Sequence, residues 1–174
     1  MIDTHFHLFG SFVNYFDFNA QEVYDECKNN NLTNLWLVGT NLDTIKRSID
    51  FIKKQNDDGL KLWAGFHPDH YKKYNQQKLE DILQANKDIL IGLGEIGLDF
   101  KEHSKDTLLL QKEVFISQLD LAQKHNLPVC IHCRNAEKET IEILKNYKDL
   151  KTVWHCYTLS INETKDIANV LRAG

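Results

Sequence analysis

Proline is nearly absent, with two residues in a chain of 174. No repeated or low-complexity tract breaks the sequence, so nothing marks a linker between modules. Long apolar runs are missing too: none approaches the ~20 residues that a membrane-spanning helix needs. There is no excess of positive charge, because 21 Lys and Arg stand against 25 Asp and Glu for a formal net charge of −4. A general attraction for nucleic acid or an anionic membrane is therefore excluded, and any phosphate must be held locally. The 4 cysteines form no regular framework: Cys27 stands alone, and Cys130, Cys133 and Cys156 sit in hydrophobic stretches. Reduced thiols follow as the expectation. Cys130 to Cys133 do match C-x-x-C, but no second pair follows. "LPVCIHC" also has the composition of a buried strand, not of the helix N-terminus at which a redox pair gains its thiolate.

What is present is ordinary in bulk, with 42% hydrophobic and 26% charged residues. That balance predicts one soluble domain over 1–174. Candidate functional groups begin at Asp3, which leaves no room for a cleavable signal, so a cytoplasmic location is expected.

Short apolar runs alternate with longer amphipathic ones. "MIDTHFH", "LWLVG", "LKLWAGF", "ILIGLGEIG", "LPVCIH" and "TVWHCY" predict strands, each followed by helical periodicity. In "DTLLLQKEVFISQLDLAQKHN", Leu108, Phe115, Leu119 and Ala122 form one stripe behind Asp106 as N-cap, and in "NLDTIKRSIDFIKK" Ile45, Ile49 and Ile52 do so behind Asn41. Repeated β/α alternation implies a parallel sheet, open or closed. An open nucleotide-binding sheet would carry a glycine-rich turn after its first strand, whereas a barrel carries its functional groups at the C-terminal ends of several strands. The first strand here ends in "HFHLF". A TIM-type (β/α)₈ barrel is expected, with about six β/α units in this chain.

Alternation within "DTHFH" predicts that Asp3, His5 and His7 share one strand face, the geometry in which two imidazoles grip one cation. Later strand ends add His67 in "GFHP", Glu95 and Asp99 in "GEIGLD", His132 in "IHCR" and His155 in "WHCY". A single strand-end histidine is commonly only hydrogen-bonded, but the recurrence points to a metal centre. The set exceeds what one tetrahedral ion needs, so two divalent ions are expected. His5 and His7 are assigned to the first and His132 and His155 to the second, with Glu95 as the catalytic bridge. A water between two such ions loses a proton readily. The histidines favour zinc or manganese over magnesium on ligand softness. His67 and Arg134 are the candidate substrate-binding residues. Loop anchoring competes with that role for His67, and pairing with Glu137 or Glu142 competes for Arg134 and Lys138. Trp36, Trp63 and Trp154 are expected in the core, and His70, His103 and His125 have no ligand geometry.

The motifs "DTHFHL", "GFHP", "GEIGLDF", "QKEVFISQLDLAQKHNLPVCIHCRNA" and "WHCY", in this order and nearly end to end, resemble the TatD family of metal-dependent deoxyribonucleases, amidohydrolase-like barrel enzymes. The resemblance implies a (β/α)₈ barrel and a two-metal centre, with magnesium added to the usable ions. It implies hydrolysis of phosphodiesters at DNA 3′ ends, single-stranded or frayed, and metal roles for His5, His7, Glu95, His132 and His155. It also sets expectations of absence. A barrel of this kind takes ~250 residues, so strands seven and eight, with the family's strand-eight aspartate, are expected to lie outside this sequence, in a longer product or in another chain. Leu159 and Phe9 stand where the family usually has glycine and aspartate, which predicts differently shaped loops. The competing functions are an amidohydrolase-like enzyme for a small amide or ester and a non-catalytic metal-binding form.

Overall fold

The computed structural model of the chain describes residues 1–10, 19–100, 105–155 and 164–165, with the side chains of 105 and 106 excepted. Among these residues there are six strands: β1 (Ile2–Phe6), β2 (Asn34–Gly39), β3 (Leu60–Ala64), β4 (Leu90–Asp99), β5 (Val129–Arg134) and β6 (Thr152–Trp154). Between them lie α1 (Ala20–Asn29), α2 (Leu42–Gln55), a 3₁₀ turn (Pro68–Lys73) followed by α3 (Gln76–Ala85), α4 (Lys105–His125) and α5 (Glu137–Leu144). All five strand pairings are parallel, and the spatial order β1-β2-β3-β4-β5-β6 equals the chain order. A doubly wound sheet would reverse direction at a switch point. Here every crossover advances the same way, which stacks the helices on one side and curls the sheet. The outermost strands consequently approach each other at their C-terminal ends, where the rings of His5 and His155 stack at 3.4 Å. The sheet is a curled partial barrel of the TIM type.

Side-chain parity divides the sheet. Leu35, Leu37, Leu60, Leu62, Leu93, Ile96, Val129 and Ile131 point at the helices and form the main core with Ile45, Ile52, Phe115 and Leu119. The concave face holds a smaller cluster, Val38, Trp63 and Cys130, with Trp36 and Ile91 against it. Among the expected core tryptophans only Trp63 is fully enclosed; Trp36 and Trp154 are partly buried. Phe9 is buried edge-to-face on Phe51 with the Arg47 guanidinium over its ring, so an apolar anchor occupies that loop position.

One parity expectation fails. In β1, Asp3 pairs with Leu35 and Phe6 with Leu37, so three steps of β1 span two of β2. This bulge turns Asp3 to the helix side, where its charge raises the Cys27 thiol pKa further after burial has raised it. His5 and His7 face inward without it. Cys27, Cys130 and Cys133 are free thiols, whereas Cys156, His103, Leu159 and most of 161–174 lie outside the described residues. Among the described residues no helix is long and apolar enough to cross a membrane.

Helix α2 shows why the local pattern folds as it does. The Asn41 side chain accepts from the Asp43 and Thr44 amides while the Thr44 hydroxyl accepts from the Asn41 amide, closing a capping box. Asp106 falls within α4, which the described residues enter at Lys105, and its side chain lies outside the described residues. We expect Asn41→Ala to lower stability by about 1 kcal/mol, read as a shifted urea midpoint with an unchanged slope.

Candidate metal centre

The concave side chains meet at the C-terminal ends of β1, β3, β4 and β5. A bulge of β4 against β5 sets the meeting point: Leu93 pairs with Val129 and Ile96 with Ile131. Glu95 falls in the extra step and turns inward. Two residues on, Gly97 adopts a φ of +148°, and a β-carbon there would strike the His132 carbonyl oxygen. Only glycine lets β4 and β5 approach this closely beside His132.

Glu95 is the centre of the cluster, with 3% of its side chain exposed. Its Oε1 lies 2.8 Å from His132 Nδ1, and its Oε2 lies 3.3 Å from His5 Nε2 and 3.5 Å from His7 Nε2. The Nε2 atoms of His5 and His7 face each other at 3.0 Å. On the other side, His67 Nε2 is 3.1 Å from His132 Nδ1. Burial opposes ionisation of Glu95, but hydrogen bonds with His132, His5 and His7 outweigh it and hold the carboxyl well below the usual range. For His132, burial works against charging, and the hydrogen bonds to Glu95 and Asp99 overcome it and raise the pKa. The His155 pKa is lowered, first by burial and then by the neighbouring His5.

Among the described residues two candidate ligand groups emerge, His5 with His7 and Glu95, and His67 with Glu95 and His132; within each the donor atoms lie within 4.8 Å of one another. A divalent ion fits this donor set. Two imidazole nitrogens facing each other at 3.0 Å need a shared proton if nothing else lies between them; a cation accepts both lone pairs and removes that need. The same holds for His67 and His132. The shared Glu95 supplies anionic charge to both groups, one oxygen to each.

Of the residues singled out by sequence, the structure brings together His5, His7, Glu95, His132 and His67. His155 stacks on His5 with an interplanar angle of 8°, so it borders the first group and His67 stands next to His132. His67 is also held by its loop, its Nδ1 accepting from the Asp69 amide at 3.2 Å. Arg134 is half-exposed at the end of β5, with Nη1 3.9 Å from Asp99 Oδ2. The strand-end pattern assigns Asp99 no role, yet its Oδ2 lies 3.1 Å from His132 Nε2, the nitrogen opposite the one that meets Glu95. The signal for it was its parity with Glu95 and Gly97 along β4. Cys130 Sγ approaches His5 Nδ1 at 3.5 Å, and burial followed by the Glu95 charge pushes the thiol up to about 12. It is a neutral wall of the site.

The sequence profile of the family described as TatD related DNase matches residues 2–171. An uncharacterized metal-dependent hydrolase of Bacillus subtilis, YabD, is 30% identical over 95% of this chain and 64% of its own length. The 3′-5′ ssDNA/RNA exonuclease TatD of Dickeya dadantii is 30% identical over 90% of this chain and 58% of its own. Among solved structures, a TatD-family hydrolase from Entamoeba histolytica superposes with a TM-score of 0.81 at 26% identity, over 97% of this chain and 62% of that one. A TatD homologue from Escherichia coli, YJJV, gives 0.80 at 23% identity, covering 97% and 64%. The chain thus spans a little under two thirds of the length of these relatives.

The close approach at Gly97 sets an expectation for stability. Gly97→Ala forces β4 from β5 and is expected to cost roughly 1–3 kcal/mol or more, measured by urea unfolding.

Proposed function

The chain belongs to the TatD-related DNase family, and from that premise we propose that its inward cluster binds two divalent ions and serves hydrolysis of phosphodiesters at the 3′ ends of single-stranded nucleic acid, DNA first. The observation that carries this is the division of one buried carboxylate between two imidazole groups. His5, His7 and Glu95 hold the first ion, Glu95, His132 and His67 the second, and His155 is the remaining imidazole of the set. Zinc, manganese and magnesium are the candidate ions, the nitrogen-rich donors favouring the first two. Held there by these residues, such ions would lower the pKa of a water and polarise a phosphoryl oxygen.

The remaining roles belong to the side chains. Glu95 ties the two groups at a fixed separation. Asp99 holds the far nitrogen of His132 and so fixes which nitrogen faces Glu95, the task of a carboxylate behind a ligating histidine. The ring of His155 limits rotation of His5. Arg134 offers a cationic fork at the rim, where a phosphate would be met locally by a protein whose overall charge is negative. A nucleic-acid substrate is supported by the exonuclease name of the Dickeya relative. The same donor set would also serve a small amide or ester, and salt dependence separates the two substrate classes.

Titration of the chain with Mn²⁺ is expected to show two bound ions. Glu95→Gln is expected to weaken both by more than the ~10–100-fold that loss of an outer partner costs, since it touches both groups. Release of nucleotides from a 3′-labelled single-stranded DNA is expected to stop with EDTA. The rate at low substrate should fall linearly with salt on logarithmic axes. A salt-independent rate on a neutral ester would favour the amidohydrolase alternative, and ion binding without turnover on either substrate would favour the non-catalytic one.

A further inference from the structure

Helix α4 buries Gln111, Phe115, Gln118, Leu119 and Ala122 against the sheet. Phe115, Leu119 and Ala122 explain themselves as core. The two glutamines do not, because a buried primary amide is costly unless every polar atom is used. Here both are used, and in the same way. The Gln118 Oε1 accepts from the Phe66 amide at 2.7 Å and its Nε2 donates to the Phe66 carbonyl at 3.1 Å. The Gln111 Oε1 accepts from the Asp99 amide at 2.9 Å and its Nε2 donates to the Asp99 carbonyl at 3.1 Å. Each side chain thus pairs with one residue's backbone as a neighbouring strand would. The residues gripped are Phe66, immediately before His67, and Asp99, which touches His132.

We propose that Gln111 and Gln118 are positioning residues of the metal centre, coupling α4 to the His67 and His132 side of the cluster and not to the His5 and His7 side. The inference rests on the functional reading above, since it assigns the glutamines to that same centre. Its physical basis is that a ligand is held only as well as the backbone beneath it. His67 lies beyond β3, which ends at Ala64; its own amide still donates to the Thr40 carbonyl at 3.0 Å on the β2 side, while the last β4 partner in the β3–β4 ladder is that of Trp63. Gln118 supplies the missing pair. Asp99 is the last residue of β4, and Gln111 does the same there while the Phe100 amide donates to the Arg134 carbonyl at 2.9 Å. Because the glutamines lie seven residues apart on one rigid helix, both ligand-bearing backbones are referred to a single body. The 3₁₀ turn after His67 is referred to it as well, through the 2.8 Å hydrogen bond between Tyr74 and Ser117.

The test uses the whole chain with Gln111→Met and Gln118→Met, which keep length and apolar body but remove the paired amide. Two quantities are measured: histidine side-chain ¹⁵N resonances of the metal-free protein, and Mn²⁺ affinity. In Gln118→Met the His67 resonances are expected to move, and in Gln111→Met those of His132, with His5 and His7 unmoved in both. The second Mn²⁺ affinity is expected to fall about ten- to a hundredfold, the first staying within about twofold. A lowered unfolding midpoint with unmoved His67 and His132 resonances overturns the proposal, as does an equal shift of all the cluster histidines. Should the variants fail to fold, hydrogen exchange on the unmodified chain decides. Phe66 and Asp99 amides that exchange only with global unfolding support the clamp, and exchange through local opening overturns it. Failure of the unmodified chain to bind two ions would instead refute the functional reading, while resonances and exchange still judge the clamp.

Discussion

A single buried carboxylate governs the concave face of this sheet. An ionised Glu95 enclosed by protein is tenable only if opposite charge or donors surround it, and imidazoles from β1 and β5 meet its two oxygens. Much of the surrounding backbone serves that meeting. The bulge in β4 turns Glu95 inward, the bulge in β1 turns His5 and His7 inward at the expense of Asp3, and Gly97 removes the side chain that would separate the strands. Each is a local departure from regular strand geometry, and they cluster at one end of the sheet, where a re-aimed side chain matters most.

The order of elements was legible because each strand is a short apolar run bounded by helical periodicity, and a parallel sheet needs nothing more to be named. Asn41 as a cap was legible for the same local reason. The strand-end histidines were legible because β/α folds collect function at one end of the sheet. What escaped was anything set by register. "DTHFH" alternates perfectly in sequence, yet pairing with β2 absorbs one residue and sends Asp3 to the opposite face. Whether His132 stands beside His155 or His67 depends on how tightly the sheet curls, which alternation does not encode. Gln111 and Gln118 are an intermediate case. They fall on the apolar stripe of α4, and two amides on a buried stripe ask for partners, but the partners lie 12 and 52 residues away and only the fold names them.

Stability and function are divided between the two faces of the same strands. Toward the helices the sheet presents Leu, Ile and Val, whose burial drives folding. Toward the concavity it presents the candidate ligands, a protonated Cys130 and a pair of tryptophans. One residue of slip along a strand would exchange the two sets, so the bulges must be fixed by features that tolerate no slip. The capped α2 behind β2 and β3, and the doubly clamped α4 behind β4 and the 3₁₀ turn, have that character.

The clamps also explain how a cluster of like groups stays assembled. Imidazoles that protonate repel one another, and a carboxylate that attracts them all draws the rings inward without arranging them. Orientation has to come from behind. His132 receives it from Asp99, whose backbone is paired with Gln111, and His67 receives it from a loop whose preceding residue is paired with Gln118. His5 has the flat ring of His155 on one side and the Cys130 thiol at its far nitrogen, a contact weaker than a carboxylate and unable to force one tautomer. The two halves of the cluster therefore differ in how their rings are backed, the His67 and His132 half resting on hydrogen-bonded side chains and the His5 half on a stacked ring and a thiol. On the proposed reading, an ion entering the His67 and His132 half would meet donors already in place, whereas one entering at His5 and His7 would have to order what it binds.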